Sequence, residues 1–192
     1  TLCAASPADA EAAHAARLTE IARLDQLLST HRTGTDLARV NASRDPVKVA
    51  PEVLDVLQQY DRWAAKTNNA FSGHLGAVIA LWKSAQASNA APSAQQLTAA
   101  AQSLNAPLWK IDPAAGTVQR LSDGLIDIDS LGKGFVASHA AALARQKVPA
   151  LRGLLLDIGG DIVALGSSSL TTASPWTVGI ADPAHPADNA PP

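Results

Sequence analysis

Residues 7–28, PADAEAAHAARLTEIARLDQLL, keep one period for about six turns at 3.6 residues each. Ala12, Ala15, Leu18, Ile21, Leu24 and Leu28 recur at three- and four-residue spacing, which predicts a helix with one apolar face. Ser6 stands at its N-cap and Pro7 at its first position. Such a helix must bury its face against other elements, and the rest of the chain supplies two kinds. A second helical pattern follows Pro51 and Glu52, with Val53, Val56, Leu57, Tyr60 and Ala64 as its stripe. Strand patterns lie at TLCA (1–4), around Val47 and Val49, on both sides of a turn at Pro113–Gly116, at LIDID (125–129), on both sides of Gly159–Gly160, and at PWTVGIADP (175–183). Residues 84–104 read as an alanine-rich linker and a helix capped by Ser93, and KGFVASHAAALARQK (133–147) as a helix. Residues 29–41 read as a loop hinged at Gly34, and the proline-rich end as another. This order predicts an α+β fold, a mixed sheet with packed helices.

The bulk properties narrow the function classes. Of 192 residues 47% are apolar, enough for a core, and the net charge of -2 argues against a general nucleic-acid binder. The lone Cys3 excludes an internal disulfide and a multi-cysteine metal site. No apolar run approaches the length of a membrane span. The absence of any methionine, in a chain that begins at Thr1, suggests a piece of a longer product.

Three stretches carry chemistry. In DIDSLGKGF (127–135), Asp127 and Asp129 alternate with Ile126 and Ile128, so both carboxylates share one face of a strand read as buried with Leu125. Buried carboxylates need a partner, Gly132 and Gly134 permit close approach, and Lys133 with a helix start favours an anion. That combination suits a phosphate or pyrophosphate with a cation. The plainer alternative is a capped helix start. In LLLDIGGDIVALG, Gly159–Gly160 between Asp157 and Asp161 reads as a close backbone approach or a tight turn. TNNAFSGHLGAV places Asn68, Asn69, Ser72 and His74 between a helix and an apolar run. The four tryptophans, Trp63, Trp82, Trp109 and Trp176, are expected in the core.

Taken in order, these segments resemble the ApbE-type FAD:protein FMN transferases. EIARLDQLLSTHRTGTDLARVN is similar to the family's first helix and following loop. VAPEVLDVLQQYDRWAAKTNNAFSGHLGAVIALWK resembles its second helix and a T-x-G-A-F-D…G-P-L…L-W segment. DIDSLGKGFVASHAA is similar to D-L-G-G-I-A-K-G-Y-A-V-D, LLLDIGGDIVALG to V-N-x-G-G-D-I-x-x-x-G, and PWTVGIADP to P-W-x-V-G-I-x-D-P.

The resemblance implies transfer of FMN from FAD to a serine or threonine hydroxyl of a target protein, with release of AMP and help from Mg2+. It implies that Ala70, Phe71 and Ser72 line the flavin site, with His31 beside the ring where relatives often carry an aromatic. It implies that Asp127, Lys133, Gly159 and Gly160 contact the cofactor, and that Ser130 contributes a metal ligand through its carbonyl. It also implies a periplasmic or extracytoplasmic location, with a lipid anchor on the full-length protein. There are departures: Ser72 stands where relatives have aspartate, Asn69 where they have glycine, and Ser138 where they have aspartate. The family continues past the D-P strand with a histidine and further metal ligands. The chain is therefore expected to be a single domain truncated at both ends, completed by a second chain or a further segment and a poor catalyst alone. The departures leave open a relative that binds or hydrolyses FAD without modifying protein, and an extracytoplasmic binding module.

Overall fold

The computed structural model describes residues 1–73, 75–104 and 106–180. In chain order the elements are β1 (Leu2–Cys3), α1 (Pro7–Leu28), α2 (Asp36–Ala42), β2 (Val47–Lys48), α3 (Pro51–Lys66), α4 (Gly76–Ser88), α5 (Ala94–Ser103), β3 (Trp109–Asp112), β4 (Thr117–Arg120), α6 (Asp129–Lys147), β5 (Gly153–Ile158) and β6 (Asp161–Gly166). The fold is α+β, as expected, with two small antiparallel sheets, ordered β1-β5-β6 and β2-β4-β3. The chain divides into two compact units, residues 19–136 and residues 1–18 with those from 137 onward.

The unit of residues 19–136 holds the larger core. Val53, Val56, Leu57 and Tyr60 of α3 are fully buried, as the spacing predicts, and Ala64 is half-buried. They cluster with Leu24 and Leu28 of α1, Leu37 and Val40 of α2, and Val118 of the central strand β4. Val118 pairs with Val47 on one side and Ile111 on the other. The β3–β4 turn is the expected one: Asp112 Oδ1 accepts the amides of Ala114 and Ala115, both at 3.0 Å, and Gly116 takes φ +66°. Arg23 donates to Glu20 at 2.8 Å and to Glu52 at 2.6 Å, tying α1 to α3. The hydrogen bonds from Glu20 and then Glu52 hold its guanidinium above its ordinary pKa.

In the other unit, β5 and β6, six residues each, form a hairpin with Ile158 opposite Asp161. Gly159 and Gly160 are its two-residue loop, at φ +60° and +94°, and Asp157 Oδ1 accepts the Gly160 amide at 2.8 Å. Positive φ at both loop residues gives a primed turn, whose twist matches the strands.

Several expectations are corrected. Residues 36–42 form a short helix rather than loop, because Thr35 Oγ1 caps it by accepting the Ala38 amide at 3.0 Å. On α1 the buried positions are Ala13, Glu20, Leu24 and Leu28, while Ala12, Ala15 and Leu18 are exposed. The helix is right, but its first half buries a face of small and polar residues that apolar spacing does not mark. LIDID is not a strand: residues 125–128 are extended without a strand neighbour, and the Asn41 side chain supplies the pairing at Ile126. Leu125 is exposed. The described part of PWTVGIADP, residues 175–180, forms no strand. It follows a serine-rich loop that pins Ser174 and Pro175 through Ser167 and Ser168, and Trp176 Nε1 donates to the Leu165 carbonyl at 3.0 Å. Trp63 and Trp82 are exposed, at 46% and 51%, and so are not core.

Candidate functional site

Tyr60 organises the site. It is the third-turn residue of the buried stripe on α3, and a phenol buried there must find hydrogen-bond partners. Its ring stacks on Phe71 at a centroid distance of 5.3 Å and meets the edge of Trp109 at 6.2 Å. Its hydroxyl reaches the first turn of α6, lying 2.9 Å from Ser130 Oγ and accepting the Leu131 amide at 3.1 Å. One side chain thus joins two of the segments marked in the sequence, 70–72 and 127–133. Burial raises the Tyr60 pKa first, and the nearby Asp127 and Asp129 carboxylates add to that, against the hydrogen bonds with Ser130 and Leu131.

The 67–73 turn is shaped by hydrogen bonds between the Thr67 side chain and the backbone. Thr67 Oγ1 donates to the Trp63 carbonyl at 2.8 Å and accepts the Phe71 amide at 3.0 Å. Asn68 and Asn69 both take positive φ, +51° and +63°. Asparagine tolerates this conformation, so Asn69 meets the conformational need that a glycine would meet there. Ala70 is exposed, Phe71 half-buried and Ser72 buried. Gly73 follows, and a Cβ on it would sit 2.6 Å from Trp109 Cη2 and 3.0 Å from Tyr60 Cδ1. Trp109 Nε1 donates to Asp61 Oδ2 at 3.4 Å. Between these groups opens a cleft of about 270 Å³, lined by Tyr60, Asp61, Asn69, Ser72, Gly73 and Trp109 with two alanines of α3.

The 125–133 segment differs from its sequence reading. Ile126 and Ile128 face the core, so Asp127 is half-exposed and Asp129 exposed; neither is a buried carboxylate. Asp127 Oδ1 accepts the Asp129 amide at 2.8 Å, which sets the start of α6. The helix begins at Asp129, four residues before the predicted start at Lys133. Ser130 therefore lies in its first turn, and Lys133 is exposed on the next. His31 is exposed in the turn after α1, its amide bonded to Ser29 Oγ at 3.3 Å, and is not among the groups that Tyr60 gathers. Gly159 and Gly160 belong to the other unit. His74 lies outside the described residues. Among the described residues no three His, Cys, Asp or Glu side chains converge to hold a metal ion. None of the described helices is long and apolar enough to cross a membrane.

The ApbE family model matches residues 1–191. The chain belongs to the ApbE family. Among curated proteins it is 28% identical over 183 residues to an FAD:protein FMN transferase of Klebsiella pneumoniae (strain 342), covering 92% of this chain and 51% of that one. It is 30% identical over 175 residues to an FAD:protein FMN transferase of Treponema pallidum (strain Nichols), covering 83% and 47%. This ApbE chain thus spans about half the length of the curated relatives it matches. Among solved structures, the flavin transferase ApbE from Vibrio cholerae superposes with a TM-score of 0.68 at 23% identity, over 87% of this chain and 55% of that one. The apo Pseudomonas stutzeri flavinyl transferase ApbE gives 0.72 at 22%, over 88% and 56%. These likenesses show that the fold is the ApbE fold.

Sequence reasoning missed Tyr60, Asn41 and the Gly73–Trp109 contact as parts of the site. Helical spacing marks Tyr60 only as core, yet a phenol on a buried stripe is itself a signal that a polar partner waits opposite. Asn41 and Gly73 gave no comparable signal, because their partners are distant in sequence.

Proposed function

We propose that this ApbE-family protein transfers the FMN part of FAD to a serine or threonine hydroxyl of a target protein and releases AMP. The observation that carries the reading is the family match along residues 1–191, with relatives named FAD:protein FMN transferase. In the reaction the acceptor oxygen attacks the phosphorus of the FMN moiety. The phosphoanhydride P–O bond breaks, AMP takes the bonding pair, and the hydroxyl proton passes to a base.

This chain's residues have roles that suit such a step. Ala70, Phe71 and Ser72 border the flavin, with Phe71 held by its stack on Tyr60 and His31 offering a second flat ring. Asp127 and Lys133 flank the pyrophosphate from the start of α6, with Lys133 supplying positive charge. Gly159 and Gly160 form a loop without side chains that lets a ligand approach the backbone. Mg2+ belongs to the proposal through the Ser130 carbonyl. The described side chains do not assemble a full donor set for it, and no step is assigned to the ion. The family also supports a periplasmic or extracytoplasmic location with a lipid anchor on the full-length protein. Cell fractionation tests it, and recovery in the cytosol alone would refute it.

The test of function combines the full-length protein with FAD, Mg2+ and a candidate target domain. Covalent FMN on a serine or threonine, found by mass spectrometry with AMP release, is the expected result. Free FMN and AMP without an adduct would replace transfer by hydrolysis. Calorimetric FAD binding that is lost in Asp127→Ala places the nucleotide at 127–135, and no binding by the intact protein refutes the flavin reading.

A further inference from the structure

We infer that Tyr60 and Ser130 form a hydrogen-bond relay that presents the Ser130 hydroxyl as a donor to a phosphate oxygen of the flavin nucleotide. The inference rests on the flavin-nucleotide reading above and assigns Ser130 a contact through Oγ, apart from any role of its carbonyl.

The direction of the relay follows from donor and acceptor accounting. Tyr60 is 1% exposed, so water does not take up its O–H. Its oxygen already accepts the Leu131 amide at 3.1 Å. Its own proton needs an acceptor, and among the described residues Ser130 Oγ lies within reach at 2.9 Å. The phenol therefore donates to Ser130. With a lone pair of Ser130 Oγ occupied, the serine's own O–H turns away from Tyr60. Ser130 is exposed, so that proton faces outward. A hydroxyl that accepts from one neighbour is polarised into a better donor to the next.

An anion suits that donor. Asp127 and Asp129 lie close enough to act on Tyr60, so a phosphate here also needs positive charge beside it, which Lys133 and a divalent cation would supply. Phe71 stacks on the same tyrosine, so Tyr60 is a positioning residue that sets the phosphate donor and the ring-facing segment together. Ser130 is the residue that touches the substrate.

Calorimetry on the full chain tests this with two ligands, FAD and riboflavin, which share the ring system but differ in phosphate. Tyr60→Phe removes only the relay's first hydroxyl, and Ser130→Ala only its second. Each is expected to weaken FAD roughly tenfold, the size of one hydrogen bond to a charged group, and to leave riboflavin unchanged. The double variant is expected to be no worse than either single one, and Ser130→Thr to keep wild-type affinity for FAD. Equal weakening of both ligands would mean packing rather than phosphate contact and would overturn the relay, as would additive losses or an unchanged FAD affinity in either single variant. Should Tyr60→Phe fail to fold, the exposed Ser130→Ala and Ser130→Thr pair decides alone. Wild-type protein that binds FAD while its variants match it sinks the relay only; wild-type protein that binds neither ligand sinks the flavin reading and the relay with it.

Discussion

The Asn41 side chain gives Ile126 both halves of a backbone pairing: its Nδ2 donates to the Ile126 carbonyl at 3.0 Å and its Oδ1 accepts the Ile126 amide at 2.8 Å. A carboxamide carries a donor and an acceptor side by side, as a neighbouring strand would. Residues 125–128 can therefore run extended through a buried position without joining a sheet, one residue ahead of Asp127.

Asn41→Ala should leave two buried backbone groups unpaired at Ile126, at a cost of about 2–4 kcal/mol. Asn41→Asp keeps the acceptor and loses the donor, so it should destabilise less at neutral pH. Denaturant unfolding of both variants measures the difference. FAD affinity should fall with stability, because Asp127 hangs from the same clamp. Wild-type stability in Asn41→Ala would show that the clamp holds nothing.

Tyr60 is the chain's single tyrosine, so its ionisation can be followed alone in the ultraviolet. Its folded-state pKa is raised, by burial first and then by Asp127 and Asp129. Between the unfolded value near 10 and the folded value, the unfolded state holds fewer protons, so stability falls as pH rises through that window and is intact below it. Wild type should lose stability above about pH 10 more steeply than Tyr60→Phe. The phenolate band should also appear later in native protein than in urea. Coincident titrations in the two states would contradict the buried, donating phenol.

Periodicity made α3 and its buried face legible, since four residues at helical spacing faced one core. The β3–β4 and β5–β6 hairpins were legible from turn chemistry, through Asp112 with Gly116 and through the glycine pair. The site itself was half legible. Alternation showed that Asp127 and Asp129 share a side, but not which side, because Ile126 and Ile128 fit a buried strand as well as an extended segment with one face in the core. Deciding required Asn41, 85 residues away. Tyr60 was visible as core and hidden as a tether, because its partner lies 70 residues on and no local pattern links them.

Gly73 leaves room for Trp109, and the two should be coupled. Gly73→Ala puts a methyl 2.6 Å from Trp109 Cη2, too close for carbon atoms, so the indole must move. The expected loss is about 1–3 kcal/mol, with the Asp61 contact to Trp109 Nε1 weakened. Trp109→Phe shortens the ring and should absorb part of that loss, so the double variant should be more stable than the sum of the single effects predicts. Strict additivity in thermal unfolding would mean that the two residues do not meet.

The Gly159–Gly160 loop separates turn geometry from ligand contact. Gly160 stands at φ +94° and Gly159 at +60°, the second of these within the range asparagine accepts. Gly159→Asn should therefore change stability by no more than about 0.5 kcal/mol, while Gly160→Ala should cost about 1–2 kcal/mol through backbone strain alone. Function should rank them differently if the loop serves a ligand. Both substitutions add atoms to the surface that the proposed nucleotide approaches, so FAD affinity should fall in Gly159→Asn despite its intact fold. Unfolding curves and FAD calorimetry on the two variants read these effects apart. Wild-type stability together with wild-type FAD affinity in Gly159→Asn would make the glycine pair a turn and nothing more.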